Sequence, residues 1–266
     1  MLVKRVVTSI LLLGGLLLVL WANSFFPAFA IAAAICALMG AWEFYRMVGA
    51  SGKGRPVLWL GLALTLLFVI APTLKWDHSS GILISIAVVA PLLWVMLRRD
   101  HRDAFSSWAF TLAGILYLGW LSSRYTALIR LDDGYKWVVL ALFCTFASDT
   151  TAYFVGRLLG RHKMAPSISP AKTWEGAAGG LAGAIILGSL TAWILKLPLS
   201  LWQAVLLAAA TSVFAQAGDL VESLFKRNMG AKDSGHALPG HGGMLDRVDG
   251  IVFAGLVVYY YVIWHG

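Results

Sequence analysis

The chain has 266 residues, of which 59% are hydrophobic and 13% are charged, and its formal net charge is +8. This composition excludes a soluble globular domain and a disordered chain, and it is typical of integral membrane proteins. With such hydropathy, the positive charge favours anionic lipid as a partner over nucleic acid. Cys36 and Cys144 both lie inside apolar runs, which excludes a disulfide framework or a paired-cysteine metal site.

About nine apolar runs follow one another, each near the roughly 20 residues that a membrane-spanning helix requires. The first covers residues 6–22. It is long for a cleavable signal and lacks a small-x-small cleavage pattern, so we interpret it as a retained span. The others cover residues 25–48, 57–74, 81–97, 106–124, 137–156, 176–195, 199–222 and 250–264. The predicted fold class is an all-α polytopic integral membrane protein with about nine transmembrane helices.

The distribution of lysine and arginine predicts the orientation of these spans. With nine spans and a cytoplasmic N-terminus, five of the 21 basic residues lie outside, namely Lys75, Arg124, Arg130, Lys136 and Lys196. This asymmetry follows the positive-inside rule. The compact polytopic form favours a bacterial source, so we expect a multi-pass protein of the inner, cytoplasmic membrane.

Polar chemistry is concentrated in residues 223–250, which read SLFKRNMGAKDSGHALPGHGGMLDRVDG. If a helix begins near Leu245, Asp246 and Asp249 are hard oxygen ligands one turn apart, and they suit Mg²⁺ better than zinc. The glycine-rich run 239–243 lets backbone amides approach an anion closely. Four basic residues suit phosphate groups: Lys226, Arg227, Lys232 and Arg247. The stretch predicts a metal-assisted phosphate site; the alternative is a solvated charged loop.

This stretch resembles, position by position, the signature of the phosphatidate cytidylyltransferases, also called CDP-diacylglycerol synthases. The matching positions are Ser223, Phe225, Lys226, Arg227, Lys232, Asp233, Gly235, Leu238, Pro239, His241, Gly242, Gly243, Met244, Asp246, Arg247, Val248 and Asp249. A match of this length is far more specific than a short glycine motif. The segment 169–176, SPAKTWEG, resembles a second recurrent segment of the same family.

The resemblance implies a Mg²⁺-dependent nucleotidyltransferase that converts CTP and phosphatidate into CDP-diacylglycerol and pyrophosphate in phospholipid biosynthesis. One or two Mg²⁺ ions are expected, with a monovalent cation as a further candidate, and the resemblance also suggests a homodimer. The expected partners are CTP, phosphatidate and membrane lipids. The predicted metal ligands are Asp219, Asp246 and Asp249. The predicted catalytic residues are Asp219, Asp246, Lys226, Arg227, Lys232 and Arg247. The predicted substrate contacts are Lys172, Ser169, Thr173, Ser223, His241, Gly242, Gly243 and Asp149.

Functional residues are unevenly distributed along the chain. Residues 1–136, with about five spans, are predicted to be structural and lipid-facing, whereas residues 137–266 are predicted to carry an active site at the cytoplasmic face. Asp149 lies well inside an apolar run, where a charge costs about 3 kcal/mol, so we expect it to face a polar cavity or a partner. In the first part, we expect Glu43 to form a local ion pair with Arg46.

Several of these residues have a structural alternative. Thr173 is also suited to cap the following helix. Glu222 is as well placed to form a salt bridge with Lys226, four residues later, as to bind metal. Four glycines are spaced for close helix packing: Gly176, Gly179, Gly180 and Gly183.

Two other functions fit part of the pattern. Polar residues inside spans also mark ion-coupled transporters, but here polarity gathers in the C-terminal half rather than in two repeated halves. A cytidylyltransferase or kinase acting on another lipid, such as a polyprenyl or ether lipid, is the closer alternative.

Overall fold

The structure, a computed structural model, describes residues 27–74, 79–235 and 242–265. In these ranges each predicted apolar run is helical, while the run at 6–22 lies outside them. The helices are α1 Ala28–Ser51, α2 Leu58–Ile70, α3 Ser79–Met96, α4 Ala104–Gly114, α5 Leu121–Leu128, α6 Gly134–Leu159, α7 Trp174–Ile194, α8 Leu201–Asn228 and α9 Leu245–His265. A 3-10 turn, Ala71–Leu74, follows α2, and a π-helical segment, Ile115–Trp120, joins α4 to α5.

Among the described residues, six helical segments are long and apolar enough to cross a membrane. They are Ala28–Ser51, Ala104–Leu128, Gly134–Leu159, Trp174–Ile194, Leu201–Asn228 and Leu245–His265. Two further apolar helices are shorter, Leu58–Leu74 and Ser80–Met96. The architecture is that of a helical multi-pass membrane protein, whereas the number of nine spans and the orientation stay predictions.

One short antiparallel hairpin departs from the all-α expectation. Strand β1, Lys163–Ala165, pairs with β2, Ser169–Thr173, between α6 and α7. This segment lies between the apolar runs 137–156 and 176–195, where the sequence predicts no helix. The hairpin places residues 169–173 in an extended strand that leads directly into α7.

The helices form two compact units. The first unit contains the described residues up to Ala127 together with 229–235 and 242–248. The second contains 128–228 and 249–265. These units follow from packing, whereas the division predicted at residue 136 is one of function and stays a prediction.

In the first unit, helix packing centres on the buried ring of Tyr45. A Cβ atom at Gly61 would lie 2.6 Å from this ring and one at Gly114 would lie 2.5 Å from it, so only glycine leaves room for the ring. Tyr45 Oη donates to the carbonyl of Thr111 at 3.0 Å. Thr111 Oγ1 accepts the N–H of Val57 at 2.8 Å, which ties the start of α2 to α4.

In the second unit, a row of glycines brings α7 against α6. A Cβ atom at Gly179 would lie 2.6 Å from the Cβ of Val155, and one at Gly176 would lie 2.9 Å from the carbonyl oxygen of Ala152. A Cβ atom at Gly183 would likewise overlap the side chain of Thr151. The predicted packing role of these glycines is therefore confirmed.

Candidate active site

The second unit contains a cavity of about 470 Å³. The polar residues from α6 that line it, Asp149, Tyr153 and Arg157, follow one another at four-residue intervals and so share one face of the helix. Arg157 Nη1 donates to Tyr153 Oη at 2.9 Å. The remaining polar wall comes from β2 and α8, through Lys172, Thr173, Gln216 and Asp219.

Two residues that line the cavity, Lys172 and Asp219, form an ion pair with each other. Lys172 Nζ lies 2.7 Å from Asp219 Oδ2, and the two side chains are 24% and 41% exposed. The other oxygen of Asp219, Oδ1, accepts a hydrogen bond of 3.4 Å from Ser223 Oγ. Because the pair is partly solvated, it contributes about 1 kcal/mol or less, and either partner can be exchanged for a ligand at small cost.

A further carboxylate, that of Asp249, interacts electrostatically with this pair. Asp249 lies in α9 and belongs to the second unit. Its carboxylate is repelled by Asp219 and Asp149 and attracted by Lys172. Asp249 Oδ1 accepts the N–H of Gly250 at 2.8 Å. No three His, Cys, Asp or Glu side chains in the described part of the chain converge to metal-ligand geometry. The site therefore gathers negative charge around one lysine without a closed ligand cage.

A buried polar cluster adjoins the cavity through Gln216. Ser148 Oγ and Ser212 Oγ share a hydrogen bond of 2.8 Å, and both side chains are fully buried. Gln216 Nε2 donates to Ser212 Oγ at 3.1 Å and to the carbonyl of Ala177 at 3.3 Å. These bonds join α6, α7 and α8, so the Gln216 amide at the cavity is held in one orientation.

The hairpin that carries Lys172 is anchored on both sides. Thr173 Oγ1 accepts the N–H of Gly176 at 3.1 Å and so caps α7, which confirms the structural alternative for this residue. Glu175 accepts the backbone N–H groups of Arg161 at 3.1 Å and His162 at 3.2 Å, and it also contacts His162 Nδ1. Lys172 therefore stands on a fixed strand rather than on a loose loop.

The C-terminal part of the signature is ordered within the first unit. Asp246 Oδ2 accepts the N–H of Gly243 at 2.9 Å and that of Ser234 at 3.2 Å. The bond to Gly243 reaches back three residues and satisfies a backbone N–H just before α9 begins. Gly242 has a φ of +81°, which glycine adopts without strain.

Glu43 does not form the predicted ion pair with Arg46. Its carboxylate is only 2% exposed and accepts hydrogen bonds from the signature segment: Ser234 Oγ at 3.1 Å, Met244 N at 3.0 Å and Leu245 N at 2.9 Å. Arg46 instead lies over the ring of Trp42, 4.6 Å from its centroid. The prediction was wrong because the partners of Glu43 lie about 200 residues away in sequence, where no local spacing rule reaches.

The predicted basic residues are engaged in different ways. Lys226 Nζ lies 2.6 Å from Glu222 Oε2, so the alternative interpretation of Glu222 as a salt-bridge partner is confirmed. Arg227 Nε donates to the carbonyl of Ile168, in the hairpin turn, at 3.2 Å. Lys232 and Arg247 are exposed side chains of the first unit.

The structure thus distributes the predicted site residues over both units. Within the second unit, Asp149, Lys172, Thr173 and Asp219 line one cavity, while Ser223 and Asp249 interact with Asp219. Ser169 begins β2 and is not among the described residues that line the cavity. Asp246, Lys232, Gly242, Gly243 and Arg247 belong to the first unit. His241 lies outside the described residues.

Sequence reasoning missed four residues that contribute to these arrangements. Tyr153, Arg157 and Gln216 line the cavity, and Glu43 binds the signature segment. For Tyr153 and Arg157 a signal was present, since they follow Asp149 at helical intervals of four. For Glu43 the only signal in the sequence was its position inside an apolar run, where a carboxylate is unusual.

The similarity of this chain to known proteins extends over both units. A family model described as the cytidylyltransferase family matches residues 3–265. A phosphatidate cytidylyltransferase from Staphylococcus haemolyticus (strain JCSC1435) is 35% identical over 244 residues, or 92% of this chain and 89% of that protein. A phosphatidate cytidylyltransferase from Brucella abortus biovar 1 (strain 9-941) is 36% identical over 258 residues, or 96% of this chain and 91% of the relative.

Proposed function

Because the chain belongs to the cytidylyltransferase family, we propose that it transfers CMP from CTP to phosphatidate, which gives CDP-diacylglycerol and pyrophosphate in phospholipid biosynthesis. The observation that carries this proposal is the cavity that brings Lys172 and Asp219 together with Asp149 in a chain of apolar helices. Apolar helices that can cross a membrane suit a lipid substrate, and a basic side chain in the cavity suits substrates that carry phosphate.

The reaction needs no covalent intermediate with the protein. A phosphate oxygen of phosphatidate forms a bond to the α-phosphorus of CTP, and the bond from that phosphorus to the oxygen bridging to the β-phosphate breaks. Pyrophosphate leaves with the electron pair of the broken bond. A phosphate monoester is already an anion at neutral pH, so no general base is essential. The task of the protein is to align both phosphates and offset their charge.

Lys172 is the proposed phosphate contact in the cavity. It is held on β2 and its partner Asp219 is 41% exposed, so a substrate phosphate can take the place of that carboxylate. Arg157 lines the same cavity, and its bond to Tyr153 Oη leaves guanidinium N–H groups that suit a second phosphate. These two cations orient the triphosphate in this proposal.

The remaining polar side chains have supporting roles in the proposal. Lys226, Arg227, Lys232 and Arg247 add positive charge for the phosphates of both substrates, as the resemblance implies. Ser169, Thr173 and Ser223 offer hydroxyl groups, and Gly242 and Gly243 offer backbone N–H groups. His241 is assigned a loop or phosphate contact on the sequence match alone.

Mg²⁺ is the proposed metal. Carboxylate oxygens are the donors that Mg²⁺ prefers, and the clustered acids of the second unit supply them, so the donor set fits the ion. Asp219 and Asp249 would hold it, and the sequence match adds Asp246. When bound, the ion would neutralise charge on the triphosphate and stabilise the attacking and leaving oxygens. One or two ions, with a monovalent cation as a further candidate, belong to the proposal through the family resemblance alone.

The proposal includes a membrane setting. We infer about nine spans with a cytoplasmic N-terminus, in the inner membrane of a bacterium, with the signature at the cytoplasmic face where CTP is available. The positive-inside distribution of lysine and arginine supports this topology. A homodimer is part of the proposal only through the family resemblance.

Pyrophosphate release by the purified protein tests the proposal. Release that requires phosphatidate, CTP and Mg²⁺ together, and that stops with EDTA or when ATP replaces CTP, is the expected result. Release with a polyprenyl phosphate or an ether lipid but not with phosphatidate would change the assigned acceptor. Folded protein that releases no pyrophosphate with any of these lipids would contradict the cytidylyltransferase assignment and leave a lipid kinase or a transporter as the alternatives.

A further inference from the structure

The carboxylate of Glu43 is buried in α1 and is bound by the signature segment. Oε2 accepts from Ser234 Oγ at 3.1 Å and from the N–H of Leu245 at 2.9 Å, and Oε1 accepts from the N–H of Met244 at 3.0 Å. In the described part of the chain no lysine or arginine forms an ion pair with it. Its charge is therefore offset by these three donors.

The N–H groups of Met244 and Leu245 open α9, and the first N–H groups of a helix have no partner within the helix. A negative charge at this end also interacts favourably with the helix dipole. Glu43 thus caps α9 from another helix. Removing the carboxylate would leave buried donors unsatisfied, while losing the segment would leave a buried charge unpaired, so each requires the other.

Glu43 and Asp246 both bind Ser234 and the backbone at residues 243–245. Ser234 donates its hydroxyl to Glu43 and its backbone N–H to Asp246. Gly243 donates its N–H to Asp246, and a Cβ atom at Gly243 would clash with the Glu43 carboxylate. A Cβ atom at Gly235 would lie 2.7 Å from Glu43 Oε1, so this contact also requires glycine. The orientation of Asp246 therefore depends on a scaffold that Glu43 holds.

We propose that Glu43 is a positioning residue for the cytidylyl transfer: it fixes Ser234 and the backbone at residues 243–245 so that the Asp246 carboxylate keeps one orientation. This inference rests on the proposed function, which assigns Asp246 to the metal. Glu43 itself touches no reacting atom. Its role lies in the rate of the reaction rather than in the affinity for substrate.

The test combines hydrogen exchange with kinetics on the full-length protein in detergent. Glu43→Gln keeps the side-chain volume but places an amide N–H₂ against at least one of the donors. Hydrogen bonds to a charged group stabilise a structure more than hydrogen bonds to a neutral one. Because the variant loses this stabilisation, we expect hydrogen exchange of the 242–248 backbone amides to become about tenfold to a hundredfold faster. We expect kcat for pyrophosphate release to fall by about tenfold to a hundredfold, with KM for CTP and phosphatidate changed by less than about threefold.

Thr111→Val is the matched control. It removes a buried acceptor of a backbone N–H, that of Val57, in the same unit but does not touch the signature segment. We expect it to lower the melting temperature while leaving kcat and the exchange of 242–248 at wild-type values.

Three outcomes would overturn the inference. They are unchanged exchange in Glu43→Gln, faster exchange with unchanged kcat, and an equal loss of kcat in Thr111→Val. Absence of turnover by the wild-type protein would overturn the proposed function instead, and the exchange measurement alone would then decide whether Glu43 holds the segment.

Discussion

Lys172 Nζ and Asp219 Oδ2 lie 2.7 Å apart, so the proposed phosphate contact and the proposed metal ligand neutralise each other in this structure. A metal ion at Asp219 competes with the ammonium group, and a phosphate at Lys172 competes with the carboxylate. When a nucleotide and its metal arrive together, both charges exchange partners at once. If Lys172 binds the nucleotide and Asp219 the metal, as proposed, the pairing would favour joint binding of CTP and metal over binding of either alone.

Lys172→Ala is expected to weaken nucleotide binding, because it removes a charge-assisted contact to phosphate. We expect KM for CTP to rise by about tenfold, which corresponds to the loss of about 1.4 kcal/mol of binding free energy. Lys163→Ala is the control, since Lys163 lies on the same hairpin but does not line the cavity. Unchanged KM values for both substrates in Lys172→Ala would remove its assigned role.

Asp219→Asn is expected to reduce kcat by at least about 10²-fold, because a neutral amide cannot offset the charge of a metal ion or of Lys172. The melting temperature in detergent should change little, since the Asp219 side chain is partly solvated. Asp132→Asn, an exposed carboxylate of the same unit, serves as the control and should retain full activity. Near-normal turnover in Asp219→Asn would contradict the metal assignment.

Thr173→Val is expected to destabilise the protein by about 0.5–2 kcal/mol, because it removes the oxygen that caps α7. Thr173→Ser keeps that oxygen and should melt close to the wild-type temperature. Thr191→Val, later in the same helix, removes only an exposed hydroxyl that bonds to the carbonyl of Leu187 and is the control. Equal melting temperatures for Thr173→Val and Thr191→Val would show that the cap contributes nothing.

Gly179→Ala is expected to destabilise the second unit by about 1–3 kcal/mol, because the new methyl group would overlap Val155. Gly49→Ala is the matched substitution, since nothing lies within 4 Å of a Cβ atom there. Gly49→Ala should be neutral or stabilising by about 0.5–1 kcal/mol. Thermal unfolding in detergent measures both, and a tolerated Gly179→Ala would contradict the close approach of α6 and α7.

Much of the fold follows from hydropathy alone. Apolar runs of about 20 residues have few alternatives to helices in a membrane, so the runs from 28 onward were predictable. The hairpin at 163–173 was not, because its strands are short and Pro170 lies in β2. The start of the hairpin is held by Glu175 of α7 through the N–H groups of Arg161 and His162, and no periodicity reveals these contacts.

The candidate site was only partly predictable, for a related reason. Asp219, Lys172 and the signature stood out because charges are rare in this chain, and rarity marks function in apolar helices. The ion pair between Lys172 and Asp219 joins residues 47 positions apart, and the bonds of Glu43 join residues about 200 positions apart. Such pairings are set by tertiary packing, so a sequence supplies the candidates but not their partners.

The most direct test of CMP transfer follows the phosphorus atoms of CTP. The purified protein is incubated with phosphatidate, Mg²⁺ and CTP labelled with ³²P at either the α- or the γ-phosphate, and lipid is then separated from aqueous products. The account predicts that α-label enters the lipid fraction and γ-label leaves as pyrophosphate, and that Asp219→Asn loses both. Transfer of γ-label to the lipid would identify a kinase, and label that stays in CTP with folded wild-type protein would contradict the account.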